Sequence, residues 1–137
     1  MKCWIKEKFM NIEIKMKDKL KVEAVIRDHV VKADQDKGSG GDNSGPNPFE
    51  YFAASIGMCA SYYIKAFCRE RNIDISDIEI IEKVSREEKG DKVKFSINVK
   101  LPADFPEKYK NALIKVASEC TVKKAIQAGP EFEINLS

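Results

Sequence analysis

The strongest constraint on this chain is one long segment that predicts a helix with apolar residues on nearly all sides. Asn47 is a favourable N-cap, Pro48 suits the first helical position, and Glu50 follows the cap by three residues, as in a capping box. The helical pattern runs to about Arg71, and it is apolar almost all round up to Phe67. A chain of 137 residues has few elements to cover such a helix, so we expect a second subunit to supply the missing cover.

Strand patterns come before this helix. Apolar and polar residues alternate over 10–16 and again over 22–26, which predicts a hairpin. A short third strand is expected near Val30 and Val31. Residues 36–46 are rich in glycine and predict the loop that leads into the helix.

A second set of strands and helices is expected after the long helix. Alternation over 78–84 and 93–101 predicts another hairpin, and a helix with one apolar face then ends at Cys120. A short helix over 121–128 stops at a Gly-Pro pair, and alternation over 132–136 predicts a last strand. This order predicts an α+β fold with antiparallel sheet, in one domain that spans the whole 137-residue chain.

Composition and charge exclude several classes of protein. The chain carries 24 basic and 22 acidic residues, a near-balance that argues against a nucleic-acid-binding face. An apolar fraction of 43% is typical of a soluble globular domain. We see no apolar signal-peptide core near the N-terminus and no run of about 20 apolar residues, so we expect a cytoplasmic protein without a membrane partner.

The chemistry that the sequence offers is that of sulfur. The chain has four cysteines and one histidine, without a Cys-x-x-Cys or His-x-x-x-His pair, so we expect neither a disulfide scaffold nor a metal site. Cys59 lies in the middle of the long helix. It is either a small buried hydrophobic residue or a nucleophile, and a nucleophilic Cys59 would need a nearby cation to lower the pKa of its thiol. Cys120 precedes the short helix, whose N–H groups favour a thiolate, but it also fits a core position.

Of four other residues, two have both a structural and a functional interpretation. Cys68 lies nine residues after Cys59, about 180° around a helix, and we interpret it as structural. Cys3 has no partner that the sequence indicates. Glu50 is either a capping residue or a carboxylate that orients an arginine near a thiol. Arg27 is either an exposed strand residue or the cation that holds a thiolate.

Two motifs, taken together, resemble the OsmC/Ohr family. The first consists of Gly40-Gly41-Asp42 and of Gly45-Pro46-Asn47-Pro48-Phe49-Glu50 continuing to Cys59, and the second is Glu119-Cys120-Thr121-Val122-Lys123-Lys124-Ala125. The order of elements matches along essentially the whole chain. The resemblance implies an OsmC-like fold, in which antiparallel sheets wrap around long central helices in an intertwined homodimer.

The resemblance also implies a reaction. Characterised members reduce organic hydroperoxides with two cysteines, so Cys59 would be the thiolate that attacks the peroxide and Cys120 the resolving thiol that closes a disulfide. An external dithiol or lipoyl-type reductant would reset the pair without a bound cofactor. An arginine lowers the thiol pKa and a glutamate holds that arginine, and Arg27 and Glu50 are the candidates here.

The chain departs from the peroxidase pattern at two places. In the Ohr branch the glutamate lies ten residues before the first cysteine, where this chain has Phe49; Glu50 is rotated from that position by about 100°. Residues 32–50 contain no arginine. We expect a cysteine-dependent OsmC-like peroxidase, and the alternative is a non-enzymatic binding or structural protein with a small-ligand pocket at the dimer interface.

Overall fold

The computed structural model describes residues 9–137, so Cys3 lies outside the described residues. The chain divides into two compact units, of which the first ends at Phe52 and the second begins at Ala53. Antiparallel strand pairs and helices occur as the α+β prediction requires. Among the helices of residues 9–137, none combines the length and the apolarity that crossing a bilayer requires.

The first unit contains a three-stranded antiparallel sheet. Its strands are β1 (Ile12–Met16), β2 (Val22–Ile26) and β3 (His29–Ala33), in the spatial order β1-β2-β3. Ala24 in the central strand lies opposite Ile14 on one side and Val31 on the other. The predicted hairpin and the weaker third strand are therefore confirmed.

A buried carboxylate organises the loop after β3. Asp34 is only 1% exposed. One of its oxygens accepts the Gln35 amide at 2.8 Å, and the other accepts the Asp42 amide at 3.1 Å. The same second oxygen accepts both the Ser44 amide, at 3.0 Å, and the Ser44 hydroxyl, at 2.7 Å. The Ser44 hydroxyl and amide, opposed by burial, lower the pKa of Asp34 to about 2, so the loop is built on an ionised carboxylate.

The long helix, α1, runs over Pro48–Glu70 and begins with the predicted capping box. The Glu50 amide donates to the Asn47 side chain at 2.9 Å, and the Asn47 amide donates to the Glu50 carboxylate at 2.8 Å. Within this single chain the helix is buried along one face only. Four large apolar side chains of the helix are exposed: Phe49 46%, Phe52 40%, Met58 62% and Tyr62 58%.

The second unit contains the remaining elements. They are β4 (Glu79–Arg86), β5 (Val93–Lys100), α2 (Lys110–Ser118) and α3 (Thr121–Ala128), with β4 and β5 paired antiparallel. The core of this unit comprises Ile64, Phe67, Cys68, Phe105 and Leu113. Cys68 is fully buried there, and burial raises the pKa of its thiol, which agrees with a structural role.

The predicted C-terminal strand is wrong. Helix α3 ends at Gly129, which has a positive φ of 77°, and residues 130–137 have no regular secondary structure. Phe132 is 89% exposed and Ile134 is 96% exposed. Alternating residues predict a strand only where a neighbouring strand pairs with its backbone, and neither sheet of the described chain does so here.

Candidate active site at a cysteine pair

The junction between α2 and α3 positions Cys120. This residue is the N-cap of α3, and its sulfur accepts a hydrogen bond from the Lys123 amide at 3.4 Å. Its thiol also lies 3.8 Å from the carbonyl oxygen of Ile56, to which it can donate. Cys120 is 1% exposed, so solvent has little access to its sulfur.

Helix α1 presents Cys59 to the start of α3. The Cys59 sulfur lies 3.3 Å from the Thr121 hydroxyl oxygen, although the two residues are 62 positions apart in the chain. Cys59 is half-buried, so its sulfur is partly open to solvent. The structure therefore brings Cys59 and Cys120 together at the N-terminus of α3, and both are free thiols.

The surroundings give the two thiols opposite properties. Burial raises the pKa of Cys59, but hydrogen bonds from the Thr121 hydroxyl and the Val122 amide act against it. The Cys120 thiol and the Thr121 amide lower the pKa of Cys59 further, so that it lies below its usual value. Burial is the main cause that raises the pKa of Cys120; the nearby Cys59 sulfur also raises it, and the Lys123 and Val122 amides only partly oppose the rise. The site therefore pairs a partly exposed thiol whose pKa is lowered with a buried thiol whose pKa is raised.

One expectation from the sequence is revised. The amides of Lys123 and Val122 at the start of α3 act to lower the pKa of Cys120, as expected, but burial outweighs them. The mid-helix position of Cys59 indicated no such help for that thiol. In the structure, the amides of Thr121 and Val122, at the start of α3, lower the pKa of Cys59. The reason is tertiary packing, because α3 lies against α1 at this point.

A cavity of about 590 Å³ opens beside the buried thiol. Its wall is mostly apolar and includes Ile56, Ala60, Phe95, Val99, Leu113 and Cys120. Lys110 and Lys123 also line it and supply positive charge. A cavity of this size and lining fits a small organic molecule with an apolar body.

The other two predicted site residues lie in the first unit. Glu50 is exposed and makes the capping-box hydrogen bonds described above. Arg27 is exposed in the turn between β2 and β3, with a positive φ of 56°. The roles of Arg27 and Glu50 toward the Cys59 thiol remain predictions.

Two residues of the site region were not singled out from the sequence. Thr121 directly follows Cys120, and that position at a helix start was the available signal. Glu82 lies on β4 with a carboxylate that packs on Gly57. One oxygen of Glu82 is buried without a hydrogen-bond partner, and burial raises the pKa of Glu82, opposed by the Gly57 amide. The sequence feature that could have indicated Glu82 is a single acidic residue among the apolar residues on one face of the strand.

Metal coordination has no support in the described part of the chain. Across residues 9–137, no three side chains of His, Cys, Asp or Glu cluster closely enough to hold a metal ion.

Comparison with known proteins identifies a family and a fold. The family described as OsmC-like protein matches residues 41–135. Among solved structures, the OsmC-like protein of Mycoplasma pneumoniae has a TM-score of 0.67 at 13% identity, with 90% of each chain covered. No curated protein matches this chain.

Two further similar structures have names that refer to hydroperoxides. The organic hydroperoxide resistance protein OsmC of Legionella pneumophila has a TM-score of 0.59 at 21% identity, covering 88% of this chain and 92% of the other. The organic hydroperoxide resistance protein OhrB of Bacillus subtilis has a TM-score of 0.53 at 21% identity, covering 87% and 92%. At these identities the likeness shows a shared fold.

Proposed function

This chain belongs to the OsmC-like protein family, and we propose that it is a cysteine-dependent peroxidase that reduces organic hydroperoxides. The observation that carries the proposal is the pairing of Cys59, with a lowered pKa, and Cys120, with a raised one, at the start of α3. Structures that share the fold include proteins named for organic hydroperoxide resistance, and this supports a peroxidase function.

In the first step, Cys59 acts as the nucleophile. Its thiolate attacks the terminal peroxide oxygen, the O–O bond breaks, and the alkoxide takes a proton from water and leaves as an alcohol. Cys59 is oxidised to a sulfenic acid and the hydroperoxide is reduced. Its partial exposure and lowered pKa suit this role, since the thiolate is the reactive form.

In the second step, Cys120 resolves the sulfenic acid. Its sulfur attacks the sulfur of Cys59, an S–S bond forms, and the sulfenic hydroxyl leaves as water with the thiol proton. A cytoplasmic dithiol, of the lipoyl type or similar, then exchanges with the disulfide and restores both thiols. The raised pKa of Cys120 suits it to stay protonated until the sulfenic acid has formed.

The dimer belongs to the same proposal. Helix α1 exposes the large apolar side chains of Phe49, Phe52, Met58 and Tyr62 in the single chain. Exposed apolar side chains of this size along one helix favour contact with a second copy. Size-exclusion chromatography with light scattering at low micromolar concentration tests it, and a folded monomer there contradicts it.

A second candidate function is ligand binding without turnover. The specific observation is the apolar cavity of about 590 Å³ beside Cys120, which lies within the second unit of one chain. In this case Cys59 and Cys120 would be incidental, and an apolar molecule would bind equally well to the wild type and to Cys59→Ser.

Mass spectrometry after stoichiometric cumene hydroperoxide tests the peroxidase. We expect a Cys59–Cys120 disulfide in the wild type and a dimedone adduct at Cys59 in Cys120→Ser. Cys59→Ser should form neither product, and Cys68→Ala, which adds no polar group to the core, serves as a control that is oxidised as wild type. Free thiols at both positions after treatment, with a control peroxidase fully oxidised, would rule out the peroxidase and favour binding.

A further inference from the structure

The side chain of Thr121 contacts the sulfur of Cys59, and the two-cysteine reaction described above gives this contact no role. We propose that its hydroxyl is a catalytic group, which donates a hydrogen bond to the Cys59 thiolate and stabilises it for attack. The inference deepens the proposed peroxidase function and rests on it. It starts from the 3.3 Å separation between the Cys59 sulfur and the Thr121 hydroxyl oxygen.

The direction of this hydrogen bond depends on the charge of the sulfur. While Cys59 is a thiol, either atom can be the donor. Once Cys59 loses its proton, the sulfur can only accept, so the Thr121 hydroxyl must donate. A hydrogen bond to an ionised acceptor is about twice as strong as one between neutral groups. The contact therefore favours the thiolate over the thiol.

The start of α3 holds the Thr121 hydroxyl in place. Thr121 is the first residue of α3, and the Lys123 amide donates a hydrogen bond to the sulfur of the N-cap residue Cys120. The Lys124 amide donates to the Cys120 carbonyl at 3.0 Å, which closes the first turn. Threonine is branched at Cβ, so few χ1 rotamers are open to it in a helix. The start of α3 therefore holds the Thr121 hydroxyl in a fixed position next to the Cys59 sulfur.

The hydroxyl acts together with backbone donors at the same place. The Val122 amide, the Cys120 thiol and the Thr121 amide also lower the pKa of Cys59, and together with the hydroxyl they outweigh the effect of burial. They are neutral groups, so this stabilisation of the thiolate requires no ion pair. Because Thr121 contributes through its side chain, its part can be removed without changing the backbone of α3.

The test is the pH dependence of Cys59 alkylation by iodoacetamide, resolved by mass spectrometry of the Cys59 peptide. Thr121→Val keeps the shape of the side chain and removes the hydroxyl, whereas Thr121→Ser keeps the hydroxyl. We expect Thr121→Val to alkylate about tenfold more slowly at neutral pH, and Thr121→Ser to react as wild type. At high pH, where every Cys59 is ionised, all variants should converge. Thr121→Ala is a second variant without the hydroxyl.

The outcomes separate this inference from the proposed function, because alkylation requires no peroxide. Equal pH profiles for the wild type and the two variants without a hydroxyl would overturn the role of Thr121. Slower alkylation at every pH, including high pH, would indicate a structural role and would overturn it as well. A shifted profile in a protein that leaves cumene hydroperoxide unreduced would support the thiolate contact and reject the peroxidase. Protection of Cys68 from alkylation reports that each variant is folded.

Discussion

The contact between Gly57 and Glu82 offers a quantitative test of how α1 packs. A Cβ added at Gly57 would lie 2.5 Å from a carboxylate oxygen of Glu82 and 3.3 Å from its carboxyl carbon. The first separation is far below ordinary van der Waals contact, so Gly57→Ala must displace the Glu82 side chain. A carboxylate thus occupies the space that a side chain at position 57 would need.

Two opposing effects set the size of the change. Alanine is about 1 kcal/mol more favourable than glycine in a helix interior. Crowding a packed site costs about 1–3 kcal/mol. In the wild type, Gly57→Ala should therefore lower the free energy of unfolding by up to about 2 kcal/mol. In a Glu82→Ala background the crowding is gone, and the same substitution should raise it by about 1 kcal/mol.

Urea unfolding of the four proteins in this double-mutant cycle measures the coupling. We expect a coupling of about 1–3 kcal/mol between the two positions, with similar m-values for all four proteins. An equal effect of Gly57→Ala in both backgrounds would refute the reasoning. It would show that something other than the Glu82 carboxylate limits the space at Gly57, such as an element of a second subunit.

Three further predictions concern stability. The pKa of Asp34 is lowered from 3.8 to about 2, so its contribution is present above pH 4 and lost as the pH falls toward 2; Asp34→Asn should flatten acid unfolding over this range. The pKa of Glu82 is raised, so the wild type loses stability as the pH rises through that value, and Glu82→Gln should unfold at higher urea than wild type at neutral pH but not in acid. Leu113 is 2% exposed in the core, so Leu113→Ala should cost about 2–5 kcal/mol in urea unfolding. Ile114→Ala, at a 66% exposed neighbour, should change stability by only about 0.5 kcal/mol, and equal costs at both sites would contradict the assigned core.

Elements that depend on neighbours in the chain could be predicted from the sequence. The capping box of Asn47 and Glu50 forms between residues three apart, and it was confirmed with both hydrogen bonds. Alternation predicted both hairpins, and Gly129 marked the end of α3. The same local reasoning failed over 132–136, because alternation says nothing about whether a partner strand is present.

Only part of the candidate site could be predicted from the sequence. Cysteines at positions 59 and 120 could be recognised as the residues with chemistry to offer, because few other side chains here react as nucleophiles. Which of the two is the more acidic thiol could not be predicted. A thiol pKa depends on donors within a few ångströms, and the donors to Cys59 come from Thr121 and Val122, about 60 positions away.

The sequence by itself determined the order and type of the helices and strands as far as α3, since backbone preference and apolar spacing act over a few residues. Tertiary structure alone decided that α3 begins against Cys59 and that Glu82 fills the space beside Gly57. Both contacts join segments that are distant in the chain. The free energy of such a contact depends on how whole elements pack, and no local pattern in the sequence encodes that packing.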